Sequence, residues 1–256
     1  MKIAVIGARG SVGRVCVKEI ENMGHSAISL SRESDVPDHA DCAIIASQID
    51  NLEFIIPVVD CSGELSNSSL VLPNILKSES DRLRIPNCMA SLIAQALAPL
   101  HKKCIITSII TTCMQSVSGA GWRGVQALEQ SKTEEMFGGS LVHNILPHEK
   151  AKQEEHAIEN DLHELFGCEV TATSFRVPVF VGHVASLHVV TKDPIDATLL
   201  PESASFDPRT MENQRNVAIG RVRIQKNTAD LVICGDQLLC GTAIPAVASI
   251  VSAQLR

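Results

Sequence analysis

Tyrosine is absent from this 256-residue sequence, tryptophan occurs once, and aromatic residues make up 3% of the chain. So few rings leave little with which to stack nucleobases. With 22 Lys and Arg against 29 Asp and Glu the net charge is −7, and no dense basic block is available to track a phosphate backbone, so nucleic acid is not an expected partner. Long apolar runs are also lacking. None reaches membrane-spanning length, and the apolar segment in the N-terminal MKIAVIGARG is too short for a secretory signal. A cytoplasmic protein with no membrane partner is expected.

Any C-x-x-C pair is missing too. The nine cysteines, at positions 16, 42, 61, 88, 104, 113, 168, 234 and 240, are odd in number, which argues against a disulfide framework or a zinc knuckle. Most are expected to be small buried apolar residues in a reducing compartment. The histidines show no H-E-x-x-H spacing. His156 and His163 could share a helix face, but no further ligand accompanies them, and no metal site is expected. What remains is an ordinary globular composition, 45% hydrophobic and 20% charged, long enough for one large domain or two modest ones.

The chain opens with KIAVIG (2–7), which reads as a short buried strand closed by glycine. GARGSVG follows, with Gly7, Gly10 and Gly13 three apart, and leads into a helical stretch to about Met23. Strand-like AISLS (27–31), CAIIAS (42–47) and FIIPVVD (54–60) come next. Strand, glycine turn, helix, strand is the beginning of a dinucleotide-binding fold, in which the helix N-terminus faces a pyrophosphate. Only SQIDNLE separates the third and fourth strands, too little for a crossover helix, so this sheet is expected to be trimmed or irregular. About 20 residues beyond the glycines, Ser31 and Arg32 stand where an NAD enzyme places an acid. A cation there favours a 2′-phosphate and hence NADP.

Cys88 opens a run expected to be helical to about His101. A thiol at a helix N-terminus feels the positive end of the dipole, which favours the nucleophilic thiolate. Expected next are a strand over 104–112, a turn and helix over 116–124 and a strand over 141–147. A helix over 152–166 has apolar residues near helical spacing. A long β segment over 169–190 and strands over 217–224 and 230–235, the last two separated by a short turn, should pair mostly antiparallel. An apolar helix with Pro245 early in it closes the chain.

Four ordered motifs resemble the aspartate-semialdehyde dehydrogenase family: GARGSVG at the glycine turn, PNC at Cys88, MQSVSGAG at Gln115, and RVPVFVGH spanning Arg176 to His183. GDQLLCGTA near the end resembles that family's late nicotinamide-contacting motif. The resemblance covers nearly the whole chain. It implies an α/β architecture, a Rossmann-type nucleotide-binding domain of residues 1–86 plus 236–256 with an inserted α+β catalytic and dimerisation domain, 87–235, and a homodimer. The implied reaction is reductive dephosphorylation of aspartyl phosphate to aspartate semialdehyde by NADPH through a cysteine thioester.

Carried over by motif, Cys88 is the acyl-accepting nucleophile, His183 the acid/base and Gln115 a positioning group. Arg176, Asn87 and Glu154 would bind substrate, Arg176 as a guanidinium fork on a carboxylate and Glu154 on an ammonium group. The cofactor would meet Gly7, Arg9, Gly10, Ser11, Val12, Gly13, Ser31, Arg32, Ser118, Gly119, Pro147 and Gln237. An odd separation puts Arg176 and His183 on opposite faces of a regular strand, so convergence requires a break, for which Pro178 and Gly182 are suited.

The chain is shorter than is usual in that family, and two cations that the family uses for phosphate are replaced, by Ser66 and Ala157. Lys150, Lys152, Arg82 and Arg84 are the possible substitutes. Two other readings stay open: another acyl-phosphate reductase such as N-acetyl-glutamyl-phosphate reductase, and an NADP-binding paralogue without turnover.

Overall fold

Lys2–Ile6 (β1), a run buried from Ile3 onward, is an inner strand of a six-stranded sheet in the computed structural model, which describes residues 1–49, 54–147, 151–204 and 207–254. Its companions are β2 (Ser26–Leu30), β3 (Cys42–Ile45), β4 (Val58–Asp60), β5 (Ser69–Leu70) and β6 (Arg82–Arg84). The order is β2-β1-β3-β4-β6-β5, and every pairing is parallel. One face is covered by α1 (Ser11–Asn22) and the last helix, α6 (Ile244–Gln254), which bring Cys16, Ile20, Ala246, Val247 and Ile250 onto Ile3, Val5 and Ile44. On the other face Ala4, Ile6, Ala43, Ile45 and Val58 pack against Val36, Phe54, Ile56 and Leu65.

That second face explains a shortfall in the expected strand 54–60. Only Val58–Asp60 pairs. Pro57 has no N–H to give to a ladder, although its carbonyl accepts from Ala43 N at 3.0 Å, and Phe54 and Ile56 turn onto the sheet instead of extending it. The connection from β3 to β4 contains no helix among its described residues.

The second sheet has the order β10-β11-β9-β7-β8. Its strands are β7 (Ile106–Gln115), β8 (Glu169–Arg176), β9 (His183–Thr191), β10 (Ala218–Gln225) and β11 (Thr228–Gly235). Pairing is antiparallel except between β7 and β8. There the chain returns through α3 (Trp122–Glu129), α4 (Glu134–Phe137) and α5 (Ala151–Phe166), and a helical crossover brings a strand back parallel. Helices α2 (Cys88–Cys104) and α5 cover one face. Leu92, Ile93, Leu97, Ile158 and Leu162 meet Ile109, Cys113, Leu187 and Ile233 in the largest core of the molecule.

Two boundaries differ from expectation. Helix α2 continues past His101 to Cys104, with Lys102 and Lys103 in its last turn facing the negative end of the dipole. Strand β7 therefore starts at Ile106, and it runs on to Gln115. Residues 141–147 form no strand beyond a single bridge from Leu146 to Arg176. Local bonds take the backbone groups that a ladder needs: Asn144 Nδ2 donates to Ser140 O at 2.9 Å, and Asn144 N to Leu141 O at 3.1 Å. Among the described residues no helix is long and apolar enough to cross a membrane.

Candidate active site

The carboxyl ends of β7 and β8, the start of β9 and helices α2 and α5 converge on one site. Cys88 is the first residue of α2, and Asn87 Oδ1 accepts from Met89 N at 2.9 Å to cap the helix. The backbone N–H of Asn87 is itself held by Asp161 Oδ2 on α5 at 2.7 Å. In the β7–β8 register Gln115 lies opposite Arg176. The chain then leaves β8, passes over the end of β7 through residues 177–182 and enters β9 at His183. Val117 N and Ser118 N donate to the carbonyls of Val179 and Phe180 and anchor this passage. Gly182, at φ 103, has backbone atoms of Pro208 where a Cβ would stand, 2.7 Å from the oxygen. This break in the strand brings Arg176 and His183 to the same side.

His183 Nε2 lies 3.6 Å from Cys88 Sγ. Its Nδ1 accepts from Ser116 N at 3.2 Å and is 3.0 Å from Ser116 Oγ. Because a backbone N–H can only donate, the proton of the neutral ring is placed on Nε2, toward the sulfur. Burial, reinforced by Arg176, pushes the His183 imidazole down to about 3. Burial likewise pushes the Cys88 thiol up to about 12; Glu154 adds to this, while Arg176 and the N–H groups of Met89 and Cys88 oppose it. The resting pair is a thiol beside a neutral imidazole. The expected resting thiolate is corrected accordingly, since desolvation outweighs the helix terminus.

Arg176 is 1% exposed. Nη1 donates to Ser116 O at 2.8 Å, Nη2 to Glu154 Oε1 at 2.7 Å, and the guanidinium carbon lies 5.4 Å from the Phe137 ring centroid. Arg176 Nε and Glu154 Oε2 are buried without a hydrogen-bond partner among the described residues. Such orphaned charged atoms are costly unless something else supplies their partners. Gln115 is buried and reaches Ser174 Oγ at 3.4 Å. A Cβ on Gly119 would stand 3.0 Å from His183 Cε1 and 3.3 Å from Arg176 Nη1, so any larger residue would make these side chains give by a few tenths of an ångström. Gln237 is buried, bonding Ser118 Oγ and, at 3.1 Å, Gly182 N.

A cavity of about 440 Å³ adjoins Cys88 and is lined in part by Val12, Ser62, Gly119, Ala157 and Gln237. Val12 belongs to the first turn of α1, so the glycine turn and the thiol open into one space. The turn is built for close approach. A Cβ at Gly13 would stand 2.2 Å from Gly7 O, and one at Gly7, whose φ is +80, 2.6 Å from Ser47 Cβ. Both Gly7 N and Ala8 N donate to Leu30 O at 3.1 Å, which sets the end of β2 against the turn. The first N–H groups of α1 lack intrahelical acceptors and suit a pyrophosphate. Ser31 and Arg32 follow directly and are exposed, with Ser31 Oγ 2.8 Å from Ser34 Oγ and Arg32 Nε 2.7 Å from Glu33 Oε1. Arg9 and Pro147 are exposed as well.

Ser66 is exposed and does not line this cavity, whereas Ala157 does. Of the four substitute cations, Arg84 lines it, while Arg82 and Lys152 do not, and Lys150 lies outside the described residues. The histidines considered as a pair have separate partners: His156 Nδ1 is 3.7 Å from Glu159, and His163 Nδ1 2.8 Å from Cys168 O. Sequence reasoning missed Ser116 and Asp161. A serine next to Gln115 and an acid two helical turns after Glu154 were the available signals.

The family described as semialdehyde dehydrogenase, dimerisation domain, matches residues 97–207. An aspartate-semialdehyde dehydrogenase of Rickettsia conorii is 30% identical over 63% of this chain and 59% of its own length. That of Prochlorococcus marinus is 25% identical over 96% of this chain and 75% of its own. The chain spans less than two thirds of the Rickettsia relatives, 59% and 66%. The solved structure of aspartate semialdehyde dehydrogenase II from Vibrio cholerae, complexed with ASA, superposes with a TM-score of 0.84 at 21% identity, over 100% of this chain and 98% of that one. The Candida albicans enzyme with NADP gives 0.71 at 15%, over 99% of each chain. Along most of its length the chain is thus similar to aspartate-semialdehyde dehydrogenases, and it shares their fold.

Proposed function

We propose that the protein is an NADP-dependent aspartate-semialdehyde dehydrogenase that interconverts aspartyl phosphate and aspartate semialdehyde through a thioester on Cys88. The observation that carries this reading is the orphaned pair beside the thiol. Arg176 Nε lacks an acceptor and Glu154 Oε2 lacks a cation, both in the group around Cys88 and His183. An α-amino acid supplies both, its carboxylate to the guanidinium and its ammonium to the carboxylate.

In this reading Cys88 Sγ attacks the acyl carbon, phosphate leaves and a thioester remains. NADPH, when bound across the glycine turn, supplies the hydride. His183 Nε2 would give its proton to the oxygen of the tetrahedral adduct as it takes up the thiol proton; the adduct's hydroxyl proton would leave with phosphate, and after hydride addition a proton from solvent would restore the thiol as the aldehyde departs. A ring that resists becoming imidazolium suits such a relay, because a proton arrives as another departs. Ser116 holds the ring and, through its carbonyl, Arg176. Gln115, at the end of β7, would position the acyl group, and Ser118, Gly119 and Gln237 would border the nicotinamide. Residues 1–86 with 236–256 would form the cofactor domain, and 87–235 the catalytic and dimerisation domain of a homodimer.

One assay tests this. The protein is incubated with aspartate semialdehyde, phosphate and NADP, and NADPH is followed by absorbance. Turnover is expected in the wild type, and none with Cys88→Ser. Arg176→Lys should raise KM for the aldehyde about tenfold or more, since an ammonium cannot reproduce the fork. Signal surviving Cys88→Ser refutes the thioester. Turnover of N-acetylglutamate semialdehyde in place of aspartate semialdehyde would move the assignment to an N-acetyl-glutamyl-phosphate reductase. A second reading, an NADP-binding paralogue without turnover, is favoured by Ser66 and Ala157 standing at the two phosphate positions. Cofactor binding with no turnover would establish it.

A further inference from the structure

Arg84 is the single Lys or Arg among the described residues that line the cavity at Cys88. It ends β6 at the carboxyl edge of the parallel sheet, opposite Asp60, and Ser62 and Gly63 just beyond Asp60 line the same cavity. Ligands of such sheets bind at that edge. The guanidinium is engaged by two carboxylates of α5, Nη1 with Asp161 Oδ1 at 2.5 Å and Nη2 with Glu164 Oε2 at 2.6 Å. Ala157 and Asn160, one turn back on the same helix, also line the cavity.

The two carboxylates are not equivalent. Asp161 has an 8% exposed side chain and is also tied to the Asn87 N–H, so it is fixed in place. Glu164 is 48% exposed. A carboxylate so open to water contributes little to a pair and can turn away at small cost. One guanidinium with two carboxylates carries a net negative charge and repels a phosphate dianion. With Glu164 turned out, the remaining pair is neutral and Arg84 offers its freed N–H groups to two oxygens.

We propose that Arg84 receives the phosphoryl group of the acyl phosphate, and that Glu164 competes with it for the guanidinium and so sets the affinity for phosphate. This assignment rests on the reaction proposed above. It places the phosphate cation on the sheet, at a residue four positions before the nucleophile, where neither position 66 nor position 157 supplies one.

Inorganic phosphate is the probe. In the dehydrogenase direction, Glu164→Gln should lower the apparent KM for phosphate about two- to fivefold, the range spanned by an exposed ion pair, and leave KM for aspartate semialdehyde unchanged. Arg84→Gln should raise KM for phosphate by about tenfold or more, with Arg84→Lys between it and the wild type. In parallel, protection of Cys88 from iodoacetamide by phosphate should shift the same way in each variant. Unchanged phosphate dependence in Arg84→Gln or in Glu164→Gln overturns the assignment while leaving the reaction intact. Protection that shifts as expected in a protein without turnover overturns the reaction and leaves the phosphate site. No protection by phosphate in any variant, without turnover, overturns both.

Discussion

The Cys88 sulfur and His183 Nε2 lie 3.6 Å apart with neither side chain charged at rest. Ninety-five residues separate them in the chain. The neutrality follows from where they are held. Burial disfavours both ions, and Arg176 beside the ring opposes a second cation there.

A thiol held near 12 has a thiolate fraction that grows about tenfold per pH unit over the whole accessible range. Alkylation of Cys88 by iodoacetamide, followed by mass spectrometry of the labelled peptide, should therefore climb from pH 7 to pH 9 without levelling. A plateau below pH 8 would reveal a resting thiolate–imidazolium pair and contradict the neutral one.

Stability should fall on acidification through the same ring. The unfolded chain binds a proton at His183 near the ordinary value of 6.5, the folded chain only near 3. Between these limits the unfolded state holds more protons, so stability drops as pH falls, by up to about 1.4 kcal/mol per pH unit. Above 6.5 the ring is neutral in both states and contributes no slope. Urea melts between pH 6.5 and 4.5 should show a shallower slope for His183→Asn than for the wild type. Equal slopes would show that the ring is not held neutral.

At Gly13 a Cβ would stand 2.2 Å from Gly7 O and 2.7 Å from Ala8 Cα. Gly13→Ala must push the glycine turn off the start of α1. NADPH binding, read by its fluorescence, should weaken about tenfold or more. Arg14→Ala, an exposed neighbour on the same helix, should leave it unchanged. Equal affinity for wild type and Gly13→Ala would separate this turn from cofactor binding.

Much of the architecture could be read from local pattern. A short apolar run closed by glycine can bury itself only as a central strand, as Ile3–Ile6 do. The helix of Ala151–Phe166 follows from apolar residues near a period of 3.6. Motif order was legible as well, because each motif is contiguous. The strand expected at 141–147 was not, because Asn144 and Ser140 satisfy that backbone locally. The helix end at Cys104 escaped too, since nothing in His101-Lys102-Lys103 stops a helix.

By itself, then, the sequence determined the parallel β-α-β start, the glycine turn and the set of reactive residue types at Cys88, Gln115, Arg176 and His183. Tertiary structure alone decided their states and partners. It made the thiol a thiol, put the ring proton on Nε2 through Ser116, left Glu154 Oε2 and Arg176 Nε without partners among the described residues, and set Arg84, but not Arg82 or Lys152, in the cavity wall. The reason is physical. Residue types and spacing act over a few positions along the chain, whereas desolvation, hydrogen-bond direction and charge neutralisation depend on what the fold brings within a few ångströms.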